Sequence, residues 1–206
     1  AAGSSAKTVA AAINQDSSST GVTATAVTKA RISLQEATPA GPIAFSINGG
    51  GTKTAISATV VSNTDLTALM DAINAVSGTT QVSANYDGTD KSKLVLTEAD
   101  GDTILLEGVS GMTDNQHFYV EVGNFDGTSW GSVVNVDSLA AGTSDAVVTG
   151  VFRMESSQAF EVNDQEQGTT DETTAAQGYF TAAATASSGL SAISAISVGT
   201  SAGAQS

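Results

Sequence analysis

Ala68-Leu69-Met70-Asp71-Ala72-Ile73-Asn74, followed by Thr80-Gln81-Val82-Ser83-Ala84, decides the fold. Sixty positions earlier, Thr8-Val9-Ala10-Ala11-Ala12-Ile13-Asn14 is followed by Thr20-Gly21-Val22-Thr23-Ala24. Ala12, Ile13, Asn14, Ser17, Thr20, Val22 and Ala24 each meet the same residue type at that offset. A short helix, a polar turn and a strand explain the shared register. The doubling points to a building unit rather than to an active site.

Around the second copy the elements follow from apolar spacing. Ile43, Phe45 and Ile47 alternate, and so do Ile56, Ala58 and Val60. Asn48-Gly49-Gly50-Gly51 between them is the strongest turn signal in the chain, because glycine accepts φ > 0. Residues 43–61 therefore read as a β-hairpin. Asn63 or Thr64 is the expected cap of the next helix, whose stripe is Leu66, Leu69, Met70, Ile73 and Val76, with Gly78 as its stop. Val82, Ala84 and Tyr86 form a strand ending at Asp87-Gly88. Leu94 and Leu96, then Ile104 and Leu106, make two more around Asp100-Gly101-Asp102. The sequence thus predicts a hairpin, a helix and a three-strand meander, with the helix packed on the sheet because three turns are not stable alone.

Around the first copy, Ser5 caps a helix running to about Gln15, with Ala6, Val9, Ala10 and Ile13 at helical spacing. Asp16 to Thr20 reads as a polar turn. Val22, Ala24 and Ala26 alternate as a strand, and Ala30, Ile32 and Leu34 continue it or form its partner. Thr38-Pro39-Ala40-Gly41-Pro42 is a loop. This copy lacks a preceding hairpin.

Beyond Met112 the character shifts. His117 to Val122 is a strand, Asp126-Gly127 a turn, and further strands lie near Val133–Val136, Val147–Arg153 and Ala159–Val162. Asn163 to Gln177 reads as an exposed acidic loop and Tyr179-Phe180 as an anchor. Leu190, Ile193, Ile196 and Val198 lie in an extended connector. The expected fold class is α+β, predominantly β: a small β-sheet domain with one or two short packed helices, plus a second β-rich domain. The expected divisions are 1–110, an acidic β-rich unit at 111–178, and a return connector at 179–206.

Composition agrees. Of 206 residues, 40% are hydrophobic but only 5% aromatic, so the core is built from Ala, Val, Ile and Leu. Cysteine is absent, so no disulfide or thiol chemistry is available. No apolar run approaches a membrane span, no cleavable signal is visible, and a chain starting at Ala1 reads as a piece of a longer protein. The net charge of −14 is unevenly placed. Residues 1–93 balance, with Lys7, Lys29, Arg31, Lys53, Lys91 and Lys93 against Asp16, Glu36, Asp65, Asp71, Asp87 and Asp90. From Leu94 on, Arg153 is the only cation, set against 15 carboxylates. Nucleic acid and anionic membrane are poor partners for such a surface.

Candidate chemistry is thin. His117 is the only histidine, and without a second His or a Cys a strand-edge role outweighs a general base or metal ligand. Asp100 and Asp102, with Glu98 and Glu107 near, offer hard oxygen ligands for Ca²⁺, as do Asp87, Asp90 and the stretch Asp164 to Glu166. None matches an EF-hand loop or a Gly-rich nonapeptide array, so turns and solvated loops are the stronger reading. Asn48 to Gly51 has no Lys-Ser/Thr in register for a phosphate loop. Serines abound, but a nucleophile needs a base. Trp130 reads as a lid on the second unit's core rather than an exposed recognition aromatic. No catalytic, metal or cofactor-binding residue is assigned, no cofactor is expected, and the chain is not expected to be an enzyme.

The repeated unit resembles the IN motif of bacterial flagellins and some hook-associated proteins. The likeness rests on Phe45-Ser46-Ile47-Asn48-Gly49, Ile56-Ser57-Ala58-Thr59-Val60, Leu69 to Asn74, Gln81-Val82-Ser83-Ala84, Lys93 to Thr97 and Ile104 to Gly108. Leu190 to Val198 and Ala202 to Ser206 look similar to the segment leading into flagellin's C-terminal helix. The resemblance implies the central, outer part of a flagellin. Its implied place is the extracellular filament, with other flagellin subunits as partners and the excised piece monomeric. The neutral part would sit nearer the filament and the acidic part further out. Thr169, Thr170, Thr173 and Thr174 would be candidate acceptors of O-linked sugars. The zinc-peptidase insertion of some flagellins needs His-Glu-x-x-His, which this sequence lacks. The alternative class is an extracellular adhesin or surface-layer module, with Ca²⁺ at the acidic loops.

Overall fold

The computed structural model describes residues 5–35, 42–112, 117–136, 145–162 and 186–187. The acidic loop after Asn163, the Tyr179-Phe180 anchor and most of the connector lie outside them.

Helix α1 (Ala6–Gln15) starts on Ser5, whose hydroxyl accepts the Thr8 N–H. One residue later a single helical turn, α2 (Ser17–Thr20), replaces the expected polar turn. Strand β1 then runs unbroken from Val22 to Gln35, so its two apolar runs are one strand. The hairpin β2 (Pro42–Asn48) and β3 (Thr54–Thr59) forms as expected. Helix α3 (Thr67–Ala75) begins three residues after Thr64, the later of the two expected caps. Asp65 is the residue that holds its first turn, accepting from the Thr67 N–H at 3.0 Å. A one-turn α4 (Ser77–Thr80) again follows, so Gly78 stands inside a turn and does not stop the helix.

Both short helices end on a left-handed residue, Gly21 at φ 68° and Gln81 at φ 67°. Gln81 is the only non-glycine with positive φ among the described residues. A Cβ is strained there, and glycine is not. Gln81→Gly is therefore expected to raise unfolding free energy by about 0.5–1 kcal/mol, after the entropy that glycine adds to the unfolded chain. A denaturation midpoint unchanged or lowered would count against this.

The remaining strands are β4 (Ser83–Asp87), β5 (Asp90–Glu98), β6 (Ile104–Ser110), β7 (His117–Val122), β8 (Val134–Asn135), β9 (Ala146–Val148) and β10 (Val151–Ser156). They make two antiparallel sheets. One has the order β4-β5-β1-β7-β8, with β10 also on β1; the other is β3-β2-β6-β9. A two-residue pair joins Glu161–Val162 to Ala186–Ser187. This is the predominantly β, α+β architecture expected.

The connections differ from the expected meander. β4 and β5 pair, but β6 leaves for the second sheet. The turn Asp100-Gly101-Asp102 is thus an inter-sheet crossover rather than a hairpin. The single strand expected over 147–153 is likewise two strands, β9 and β10, in different sheets and divided at Thr149-Gly150. Strands on both sides of residue 110 share sheets. The pairings β1–β7, β1–β10 and β6–β9 all cross the expected division.

One apolar cluster fills the space between the sheets. Phe45 of one sheet meets Phe118 of the other edge to face, with centroids 5.5 Å apart. Helix α3 packs against β3 and β4, an edge strand of each sheet. Its Leu69 and Ile73 are fully buried there, each contributing roughly 1.5–3 kcal/mol of apolar burial. Helix α1 lies instead on β1 and β10. No described helix is long and apolar enough to cross a membrane.

Candidate functional site

The repeat has a shared geometry. Asn14 closes its helix with the side chain turned onto the following strand. Its Nδ2 donates to the Ala24 carbonyl at 2.8 Å, and its Oδ1 accepts the Ala24 N–H at 2.7 Å. Asn74 does the same to Ala84, at 2.9 and 2.8 Å. A carboxamide carries one donor and one acceptor at peptide-like spacing, so it stands in for a neighbouring strand. β4 is an edge strand. In β1 the first half pairs with β10, and Ala24 turns its backbone groups to Asn14 instead. Each asparagine therefore satisfies backbone groups that would be a template for strand addition.

The other shared residues complete the device. Ser17 and Ser77 each donate to the carbonyl of their asparagine at 2.8 Å. Thr20 and Thr80 each donate to a carbonyl four residues back and accept the N–H of Val22 or Val82. Every polar position in the doubled pattern thus bonds to backbone within its own unit. The sequence showed these residues as a register; their role as a clamp was not read from it.

The copies differ in cover. In the second, the glycine loop lies on α4: Gly49 N donates to Thr80 O at 2.8 Å, and Thr52 N to Thr79 O at 2.9 Å. Only Gly50 there has positive φ, 91°. A Cβ on Gly49 would strike Val82, and one on Gly51 would strike the Thr79 carbonyl. Close approach, more than turn geometry, requires those two glycines. Among the described residues no hairpin lies on α2 in this way, and Val9 and Ile13 are half-buried where Leu69 and Ile73 are sealed.

The acidic candidates gather at the crossover that joins the copies. Lys7 Nζ lies 2.8 Å from Asp102 and 3.3 Å from Asp100. Ser5 also donates to Asp102, and Thr28, fully buried, donates to the Asp102 carbonyl at 2.5 Å. Glu98 is buried and accepts the N–H groups of Asp100 and Asp102 at 3.2 and 2.6 Å. The two crossovers touch: a Cβ on Gly150 would meet Thr28 Oγ1 and the Gly101 carbonyl. These carboxylates are thus engaged by the chain itself. Glu107 pairs with Lys53, Asp90 with Lys93, and Asp87 with Arg31. Among the described residues, no group of three or more His, Asp or Glu could hold a metal. Asp164 and Glu166 lie outside them.

Burial is the main reason the Glu98 carboxyl sits above its ordinary value of 4.5; the backbone N–H groups of Asp100 and Asp102 oppose the shift. The folded state therefore holds this proton at higher pH than the unfolded chain. Its contribution to stability grows as pH falls through the raised folded value and is complete below 4.5. The side-chain carboxyl ¹³C resonance of Glu98 should titrate with a midpoint above 4.5. A midpoint at or below it would contradict the burial argument.

His117 lies on β7 with Nδ1 2.9 Å from Asn135 Nδ2, its ring stacked on Tyr119. Trp130 is a lid, but over a charge rather than over a separate core. The Arg31 guanidinium sits 4.7 Å from its ring centroid. Beneath, Arg31 makes a two-pronged contact with Glu121 at 2.7 and 2.8 Å and reaches Asp87 at 3.0 Å. One side chain thus ties β1 to β7, to the end of β4 and to the Trp130 loop.

The model of the flagellin hook IN motif matches residues 1–38 and 44–100, the two clamped units. This chain carries two flagellin IN motifs. The resemblance drawn from the sequence holds over these stretches, which contain the clamping Asn14 and Asn74. No curated protein matches the chain. Among solved structures, the D2-D3 domains of the flagellar cap protein FliD from Escherichia coli are similar at 14% identity and a TM-score of 0.27, covering 66% of this chain and 96% of that one. The D1-D2-D3 domains of the same protein give 16% and 0.26, covering 68% and 57%. Superpositions this loose carry no weight for the architecture. The IN-motif pair supports a structural component of the flagellum with an extracellular location.

Proposed function

We propose that this chain is the outer, surface-exposed region of a bacterial flagellin, packing between subunits along the filament. The observation that supports this reading is the tandem pair of IN motifs, each with its strand edge closed by its own asparagine. A subunit repeated many times at high local concentration needs such edges blunted, since open edges join to one another. Its role is mechanical and interfacial, with no catalytic step. The isolated piece is monomeric, and the acidic part at 111–178 sits further out than the neutral part. The adhesin alternative with bound Ca²⁺ loses ground because Asp100 and Asp102 already pair with Lys7.

Gold-labelled antibody against this chain, applied to intact flagella and viewed by electron microscopy, tests the proposal. Label along the whole filament is expected. Label confined to the distal tip or to the hook junction would assign the chain to a cap or hook-associated protein and overturn the filament reading.

A further inference from the structure

The two IN motifs differ most where helix meets strand. A cleft of about 400 Å³ opens between α1, the first half of β1 and the crossover. Five alanines line it, Ala10, Ala11, Ala24, Ala26 and Ala99, together with Asn14 and Thr25. Lys7 and Asp100, which pair at 3.3 Å, form part of its rim. In the second motif the counterparts of Ala10 and Ala26 are Met70 and Tyr86, both packed against the core. The Tyr86 hydroxyl lies 2.6 Å from Thr67 Oγ1, and Thr67 is the counterpart of Lys7. The same junction is therefore closed in one copy, by a phenol ring that reaches the helix's first turn, and left open by the described residues in the other.

We propose that the cleft beside α1 is a binding site for a tyrosine side chain presented by a protein partner. Alanine methyl groups on helix and strand suit a flat ring, and a phenol brings a large apolar face with one polar tip. At the rim, Lys7 can donate to the phenol oxygen and Asp100 can accept its proton. Both are partly exposed, so the hydroxyl joins an ion pair that is already hydrated. Asn14 holds the N–H and C=O of Ala24, so a side chain enters here and an added strand does not. The second motif supplies the template within the same chain. This inference is independent of where in the flagellum the chain resides.

Titrating the intact chain with N-acetyltyrosinamide, while following alanine methyl resonances by NMR, tests it. Saturable shifts are expected at Ala10, Ala11, Ala24, Ala26 and Ala99. N-acetylphenylalaninamide should bind at least about threefold more weakly, the low end for a missing hydroxyl partner. Ala10→Met, which copies the second motif, should abolish the shifts. Should that variant fail to fold, Ala99→Glu changes an exposed wall position and should weaken them. No saturable shift, equal binding of the phenylalanine analogue, or full binding by a folded Ala10→Met or Ala99→Glu variant would each overturn the proposal.

Discussion

Replacing Asn74 by alanine is expected to lower the unfolding free energy by about 3 kcal/mol. Two hydrogen bonds are lost, each worth about 0.5–1.5 kcal/mol net, and the backbone groups they served become unsatisfied, at about 1–3 kcal/mol more. Ala84 is only 1% exposed, so water cannot easily replace the amide. Asn74→Asp should be at least as damaging at neutral pH, since it sets a carboxylate oxygen against the Ala84 carbonyl. Asn14→Ala should lose less, about 1–2 kcal/mol, because Val9 and Ile13 of its helix are half-buried where Leu69 and Ile73 are sealed. Urea denaturation of the three variants provides the check, with hydrogen exchange at the Ala84 amide as a local readout. A loss below about 0.5 kcal/mol for Asn74→Ala would show that the clamp is geometry without energy.

Arg31→Ala is expected to cost about 2–3 kcal/mol. Removing one partner of a well-buried ion pair costs about 3–5 kcal/mol; this one is partly open, so the value is reduced. The guanidinium side chain is 17% exposed and that of Glu121 12%, so the stranded carboxylate stays largely out of water. Lysine has no planar fork, so Arg31→Lys should recover less than half of the loss. A double-mutant cycle with Glu121→Gln should show coupling of about 1 kcal/mol or more. Trp130 emission should change in Arg31→Ala, because the indole loses the cation beneath it. Additive effects with unchanged emission would reduce the contact to an ordinary surface pair.

Much of this fold was legible in alternation and helical spacing. The hairpin at 43–61, the stripe from Leu66 to Ile73 and the strand from His117 were all visible, because one buried face leaves a period in the sequence. Sheet membership was not. Asp100-Gly101-Asp102 carries turn chemistry whether the chain doubles back in one sheet or steps to another. Val147 to Arg153 is rich in β-formers on both sides of Gly150 and reads as one strand, although the chain changes sheet there. The run from Val22 to Leu34 left open whether one strand or two would form; Val27 to Lys29 carries no break that a turn would need, and the strand runs through. The site was legible only as a coincidence. Asn14 and Ala24, like Asn74 and Ala84, stand ten residues apart in both copies. That equality was the available signal for a helix end bonded to a strand. The carboxylates of the crossover were legible only as turn or solvated-loop residues, with Ca²⁺ ligation the weaker reading, because their partner Lys7 is more than ninety residues away in sequence and enters the same corner only through the fold.

The unbroken β1 also governs the order in which the chain can assemble. Its second half finds β5 once residue 98 is available, but its first half waits for β10, where Val22 pairs with Ser156. Closing so long a loop is a late and entropically slow event. A chain delivered from its N-terminus therefore builds the second motif first. Its opening helix and half-strand are completed last, by a segment from far downstream. Truncations ending before Val151 should fold the second motif while leaving residues 5–27 open to protease.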